Sequence, residues 1–193
     1  MACHLLLAVR PPGEGKSRLA GVLSNSAREA LNYKMFRHVL GVAREVFPPA
    51  HIIVVSRSMI LLDEAQAAGC HAEPEQGDEL NQALAQGGRS AVDRGATELL
   101  SLSSDLPFLT VDDLAAMLAA GGDVVIATDR LHSGTNALLM RRPFAIPFSY
   151  GPASLAAHLA AADKAGLKAV VVDSPGLACD IDTPADLAEL VAR

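Results

Sequence analysis

Near its carboxyl end the chain reads Cys179-Asp180-Ile181-Asp182-Thr183-Pro184-Ala185-Asp186-Leu187. In an extended segment, residues two apart face the same way. Asp180 and Asp182 then aim two carboxylates together while Ile181 turns to the core. Thr183 fits a helix N-cap, Pro184 the first helical position, and Asp186 the acid of a capping box. Helix initiation accounts for Asp186 and leaves the first two acids over. Two like charges held together cost energy unless a cation lies between them. A divalent metal meets that need; a solvated strand end is the alternative.

A third acid belongs with them. The stretch Leu99-Leu100-Ser101-Leu102-Ser103-Ser104-Asp105-Leu106-Pro107 reads as a buried strand followed at once by a carboxylate. Thr110 and Asp113 already cap the next helix, so Asp105 is not needed there. With Asp180 and Asp182 it makes three carboxylates from two strand ends, a plausible cage for Mg²⁺.

Cations come from the first loop, Arg10-Pro11-Pro12-Gly13-Glu14-Gly15-Lys16-Ser17-Arg18-Leu19. Its glycines let backbone N–H groups approach a phosphate, and its Lys and Arg neutralise one. A P-loop needs a glycine five residues before Gly15, and that residue is Arg10, so a kinase or NTPase reading is disfavoured. Two further segments suit anions. His132-Ser133-Gly134-Thr135-Asn136 is a turn of small polar residues. Tyr150-Gly151-Pro152-Ala153-Ser154 opens a helix whose free N–H groups and dipole favour phosphate. His158 lies one turn further on, and a packed or solvated helix histidine is its better reading. No Ser-His-Asp order and no histidine ligand pair stands out.

These groups need a frame. Short apolar runs alternate with helical periodicity. Strands are expected at 4–9, 51–56, 98–103, 123–128, 136–140, 168–173 and 177–182. Helices are expected at 26–46 (capping box Ser26 and Glu29), 58–68, 77–95, 110–120, 151–165 and from Thr183 onward. Gly87-Gly88 weakens the third of these by about 1 kcal/mol per glycine. Strands alternating with helices predict an α/β fold with a mainly parallel sheet covered on both faces, and ligands at the carboxyl ends of its strands.

Bulk properties agree. A chain of 193 residues is long enough for one large domain with a real core. Half the residues are hydrophobic but only 4% are aromatic, so Ala, Leu, Val and Ile must build the core. The formal net charge of -6 argues against a nucleic-acid partner. Three scattered cysteines form no metal motif or disulfide framework, and a reducing cytoplasm is expected. Leu5-Leu6-Leu7-Ala8-Val9 is too short for a signal sequence, and no apolar run reaches membrane-spanning length. Phe144, Phe148 and Tyr150 could form a homodimer patch or wall a pocket.

Taken in order, these segments resemble one family nearly end to end, the guanylyltransferases of coenzyme F420 biosynthesis. These act on 2-phospho-L-lactate, phosphoenolpyruvate or 3-phospho-D-glycerate. The resemblance rests on Val9-Arg10-Pro11 with Gly15-Lys16-Ser17-Arg18-Leu19, Val54-Val55-Ser56, Glu79-Leu80-Asn81-Gln82-Ala83-Leu84, Ser104-Asp105-Leu106-Pro107, Gly134-Thr135-Asn136-Ala137-Leu138-Leu139, Gly151-Pro152-Ala153-Ser154-Leu155 with His158, and Asp180-Ile181-Asp182-Thr183-Pro184.

The resemblance implies a three-layer nucleotide-diphospho-sugar-transferase-like fold, GTP as donor and a small phosphorylated acid as acceptor. It implies that Lys16, Ser17 and Arg18 hold the triphosphate, and that Ser56 and Asn81 flank the nucleoside. It makes Asp105, Asp180 and Asp182 the metal ligands, and Thr135, Gly151 and Ser154 the holders of the acceptor phosphate. The catalytic residues so implied are Lys16, Arg18 and Asp105. Two departures stand out. Arg10 replaces an expected lysine, so it keeps the charge of a triphosphate contact without the point geometry. Ser133 replaces an expected glycine beside Gly134. The alternatives are a nucleotidyltransferase of the same fold acting on a molybdopterin or a sugar phosphate, and a nucleotide-binding regulator without catalysis.

Overall fold

The computed structural model describes residues 2–192. Its strands are β1 (Cys3–Val9), β2 (Ile52–Ser56), β3 (His71–Pro74), β4 (Glu98–Leu102), β5 (Val124–Thr128), β6 (Thr135–Met140) and β7 (Ala169–Val172). The helices are α1 (Asn25–Val46), α2 (Met59–Ala67), α3 (Leu80–Asp93), α4 (Val111–Ala119), α5 (Ser154–Lys164), α6 (Pro175–Ala178) and α7 (Pro184–Ala192). One sheet runs in the order β3-β2-β1-β4-β6-β5-β7. Every pairing is parallel except those of β6, which is antiparallel to both β4 and β5.

Alternation along the strands builds two cores. Leu5, Leu7 and Val9 of β1 join Ile52 and Val54 of β2 on the face covered by α1, α2 and α4. Leu6, Ile53 and Val55 point the other way, under α3 and α5. This period of two with both faces apolar is what a doubly covered parallel sheet requires. A third, smaller cluster joins Leu19, Met35 and Ile181, with Leu187 packed against it.

The glycine pair of α3 has a packing cause. A Cβ on Gly87 would stand 2.3 Å from Leu6 Cδ1 and 2.8 Å from Val55 Cγ2. One on Gly88 would stand 2.8 Å from Phe144 Cζ. The helix accepts a lower propensity so that it can lie directly on β1 and β2.

Several boundaries differ from the expected ones. Residues 177–182 are not a strand: α6 ends at Ala178 and the chain continues without a ladder. Pro175 at the start of α6 favours the helical turn, and Ser174 is tied to Asp113 by its hydroxyl. The short edge strand β3 (HAEP) was not expected, because its composition carries no apolar alternation. The N-cap of α1 is Ser24, which accepts from the Ala27 N–H at 3.2 Å, so the expected pair Ser26 and Glu29 does not cap it. The capping boxes of Thr110 with Asp113 and of Thr183 with Asp186 both form.

Candidate active site

Strand order reverses between β1 and β4, since β2 and β3 lie to one side of β1 and the later strands to the other. A parallel sheet opens a crevice at the carboxyl ends of such neighbours. Here the crevice is a cavity of about 320 Å³, lined by Arg10, Gly15 and Lys16 after β1, Ser103 to Asp105 after β4, Tyr150, and Asp182.

Lys16 is its centre. Its backbone is left-handed (φ 51°), which turns the side chain back under the loop, where it is 7% exposed. Its ammonium pairs with Asp105 and lies 2.9 Å from Asp182 Oδ1. Burial disfavours the charged ammonium. The Asp105 and Asp182 carboxylates outweigh that cost and hold its pKa above the ordinary lysine value. Asn32 of α1 donates to Pro12 O at 2.8 Å, and the Arg28 guanidinium donates to Gly15 O at 3.3 Å, so α1 fixes the loop.

Asp180 stands beside this pair. Asn136 donates to Asp180 Oδ1 at 3.1 Å and to Leu177 O at 2.9 Å. Because β6 runs antiparallel, its first residues reach the same edge as the ends of β4 and β5. Burial, with the charges of Asp105 and Asp182 added, pushes the Asp180 carboxyl up to about 6 despite the Asn136 bond. Asp182 and Thr183 give their N–H groups to Asp186 Oδ2 at 3.1 and 2.7 Å, so the helix cap also sets the approach of Asp182.

The three acids are therefore gathered at the basic turn, as expected, but not as a ready cage. Among the described residues no group of three acidic, histidine or cysteine side chains is arranged to hold a metal ion. The cation that Asp105 and Asp182 hold is the lysine. In chemistry the set still fits Mg²⁺: the donors are hard carboxylate oxygens, close enough that the charges of Asp105 and Asp182 add to the burial that raises Asp180. A divalent ion would compete with Lys16 for the two carboxylates.

The expected acceptor residues form a second group. His158 is fully buried, and its Nε2 accepts the Ser149 N–H at 3.0 Å. The ring proton must then sit on Nδ1, which donates to Thr135 Oγ1 at 3.0 Å. Burial lowers the His158 pKa to about 4, in keeping with a neutral ring. Since Thr135 Oγ1 accepts, its own proton is left to donate. Ser154 opens α5 after Gly151 (φ 140°) and the left-handed Ala153 (φ 56°), and no side chain caps that end. Leu155 donates to Ser133 O at 3.2 Å, bringing the Thr135 turn against the helix start. Ser133 gives both its N–H (2.7 Å) and its hydroxyl (3.0 Å) to Asp129, so the departure from glycine tightens that turn. Tyr150 lies edge-on to His158, with ring centres 5.3 Å apart, and lines the cavity, linking the two groups.

Other expected residues stand elsewhere. Ser17 and Arg18 are exposed on the short turn after Lys16, outside the cavity lining. Ser56 is fully buried and its hydroxyl accepts from the Ser58 N–H. Asn81 clamps a backbone: it donates to Tyr150 O at 2.9 Å and accepts from Tyr150 N–H at 2.8 Å. Phe148 packs edge-on to Phe144 and beside Tyr150, and of the three only Tyr150 lines the cavity. Asn136 and the positioning role of His158 went unassigned in the sequence; the Asn that follows Thr135 in a strand start was the available signal.

Residues 3–193 match the family described as Guanylyl transferase CofC like. A phosphoenolpyruvate guanylyltransferase of Rubrobacter xylanophilus is 40% identical, over 100% of this chain and 95% of its own. A 3-phospho-D-glycerate guanylyltransferase of Colwellia psychrerythraea is 33% identical, over 100% of this chain and 92% of its own. Among solved structures, a Desulfovibrio desulfuricans G20 protein provisionally assigned as a nucleotide-diphospho-sugar transferase superposes with a TM-score of 0.76 at 18% identity, covering 98% of this chain and 86% of its own.

Proposed function

The chain belongs to the CofC-like guanylyl transferase family and is a nucleotidyltransferase, and we propose that it transfers GMP from GTP to the phosphate of a small phosphorylated acid. The acceptor is phosphoenolpyruvate, 3-phospho-D-glycerate or 2-phospho-L-lactate, the product feeds coenzyme F420 biosynthesis, and the enzyme works in the cytoplasm. The observation that carries this reading is Lys16 bridging Asp105 and Asp182 in the cavity wall.

The reaction joins an oxygen of the acceptor phosphate to the α-phosphorus of GTP. The bond from that phosphorus to the bridging oxygen breaks, and pyrophosphate leaves with the electron pair. A phosphate monoester has a second pKa of about 6, so near neutrality the nucleophile is already ionised and needs no protein base. That suits a site whose one buried histidine is locked in a structural bond. The work left to the protein is to bring two anions together and steady the charge that leaves.

Lys16 offers the triphosphate an ammonium that a carboxylate pair keeps charged and aimed, and Arg10 lines the same cavity. Thr135, whose hydroxyl proton His158 leaves free to donate, and the uncapped start of α5 at Ser154 offer donors to the acceptor phosphate. Asp105, Asp180 and Asp182 would hold Mg²⁺, which when bound screens the phosphates. Exposed Arg18 is left to meet the outgoing pyrophosphate. Pyrophosphate release, measured with GTP, Mg²⁺ and each acid in turn, tests the reading. Release with none of the three acids overturns it.

A further inference from the structure

Glu75 is an acid at this site that the reaction above does not use. Its N–H donates to Ser56 O at 2.9 Å, which pins it at the ends of β2 and β3. Its side chain is 7% exposed, yet the cation beside it is shared. Arg57 Nε stands 3.5 Å from Glu75 Oε2, while the same guanidinium gives Nη2 to Glu14 at 2.6 Å and Nη1 to Asp78 at 3.4 Å. At 3.5 Å the Glu75 contact is a weak one, so both carboxylate oxygens keep the capacity to accept. Burial raises the Glu75 pKa, and the charges of Asp78 and Glu14 add to the rise that Arg57 and Arg10 oppose. A mostly buried carboxylate with so few donors around it gains when a ligand brings them.

The recess that Glu75 lines shares Ala8, Val9, Arg10 and Leu80 with the main cavity. Lys16, Asp105 and Asp182 mark where phosphates belong, and Tyr150 leads to the acceptor side. The recess is small, about 10 Å³, and opens off the cavity wall formed by Ala8, Val9 and Leu80. The main cavity, about 320 Å³, has the room for a planar base against that wall, with the edge of the base turned to the recess and Glu75.

We propose that Glu75 is the base-reading residue of the donor nucleotide, its carboxylate accepting the N1–H and the 2-amino group of guanine. Guanine presents two donors side by side, which one carboxylate takes together. Adenine and cytosine each set a ring acceptor beside their amino group, and uracil offers one donor between two carbonyls. Those edges meet the carboxylate with repulsion or a lost bond. Arg57 is the positioning residue that keeps Glu75 ionised. This assignment rests on the guanylyl-transfer reading above.

The test compares GTP with inosine triphosphate, which differs by lacking the 2-amino group. Wild type should favour GTP in kcat/KM by about tenfold or more, the worth of one charge-assisted hydrogen bond. In Glu75→Gln the preference should fall to about twofold or less. The ratio is immune to partial misfolding, which lowers both rates alike. Calorimetric binding of the two nucleotides without an acceptor should show the same loss of discrimination. A Glu75→Gln protein that keeps the wild-type ratio overturns the assignment. A wild-type protein that neither binds nor uses GTP overturns the reading beneath it instead, and the two failures are told apart by wild type alone.

Discussion

Lys16 and Asp182 lie 166 positions apart in the chain and 2.9 Å apart in space. Their neighbours explain how. Leu19, just past Lys16, and Ile181, just before Asp182, are both buried in the cluster that Met35 of α1 completes. The ends of the chain close the site by burying one apolar residue each beside the charged one.

Replacing Lys16 with Met should lower the transfer rate by roughly 10²-fold or more, the scale of one oriented electrostatic group. It also leaves Asp105, Asp180 and Asp182 without their internal cation. Melting temperature in chelator should fall below that of wild type, and added Mg²⁺ should raise it more in the variant than in wild type. An equal response in both proteins would show that lysine and metal do not share the carboxylates.

Asp105→Asn keeps the shape of the side chain and removes its charge. Its rate should drop by roughly 10²-fold. Its melting temperature should change little, because Asp182 still holds the lysine. A variant of wild-type activity would remove Asp105 from the account.

Asn81→Ala tests the clamp. Both its bonds go to the backbone of Tyr150. Their loss should cost about 1–3 kcal/mol in denaturant unfolding. It should also raise the KM for the acceptor acid more than that for the nucleotide, since the loop from Ser149 to Ser154 leads into α5. A change confined to the nucleotide KM would return Asn81 to the nucleoside side.

His158 sets a pH dependence. Its folded pKa of about 4 lies below its ordinary 6.5. Below 6.5 the unfolded chain binds a proton that the folded protein refuses. Its contribution to stability is therefore whole above pH 6.5 and is lost as pH falls toward 4. Melting curves across that window should show a slope that is weaker in His158→Gln.

Two glycines in long helices should respond oppositely to alanine. Gly87→Ala drives a methyl into Leu6 and Val55 and should destabilise by about 1–3 kcal/mol. Gly41→Ala in α1 meets nothing within 4 Å and should stabilise by about 0.5–1 kcal/mol. Urea titrations measure both.

Local rules carried far in this sequence. The capping boxes at Thr110 and Thr183 were legible because a cap needs only side chains three residues apart. The strands β1 and β2 were legible from apolar runs, and β4 from Leu99, Leu100 and Leu102 around a single serine. The edge strand β3 was not, because its four residues pair with β2 through backbone alone and carry no pattern. Asp105, Asp180 and Asp182 could be read as related, but not that a lysine would stand between two of them, since that depends on a left-handed backbone at position 16. Asn81 turns its amide to the Tyr150 backbone, and the Ser56 hydroxyl takes the Ser58 N–H. Which way a polar side chain turns at a strand or helix end is decided by packing that spacing does not record.

The central claim is that this cavity joins GMP to an acid phosphate. The most direct measurement is the mass of the product formed from GTP, Mg²⁺ and phosphoenolpyruvate, with 3-phospho-D-glycerate and 2-phospho-L-lactate in parallel. The account predicts, for at least one acid, a species equal to that acid plus GMP less water, formed one-for-one with pyrophosphate and roughly 10²-fold more slowly by the Asp105→Asn protein. Recovery of unchanged GTP with all three acids would contradict it.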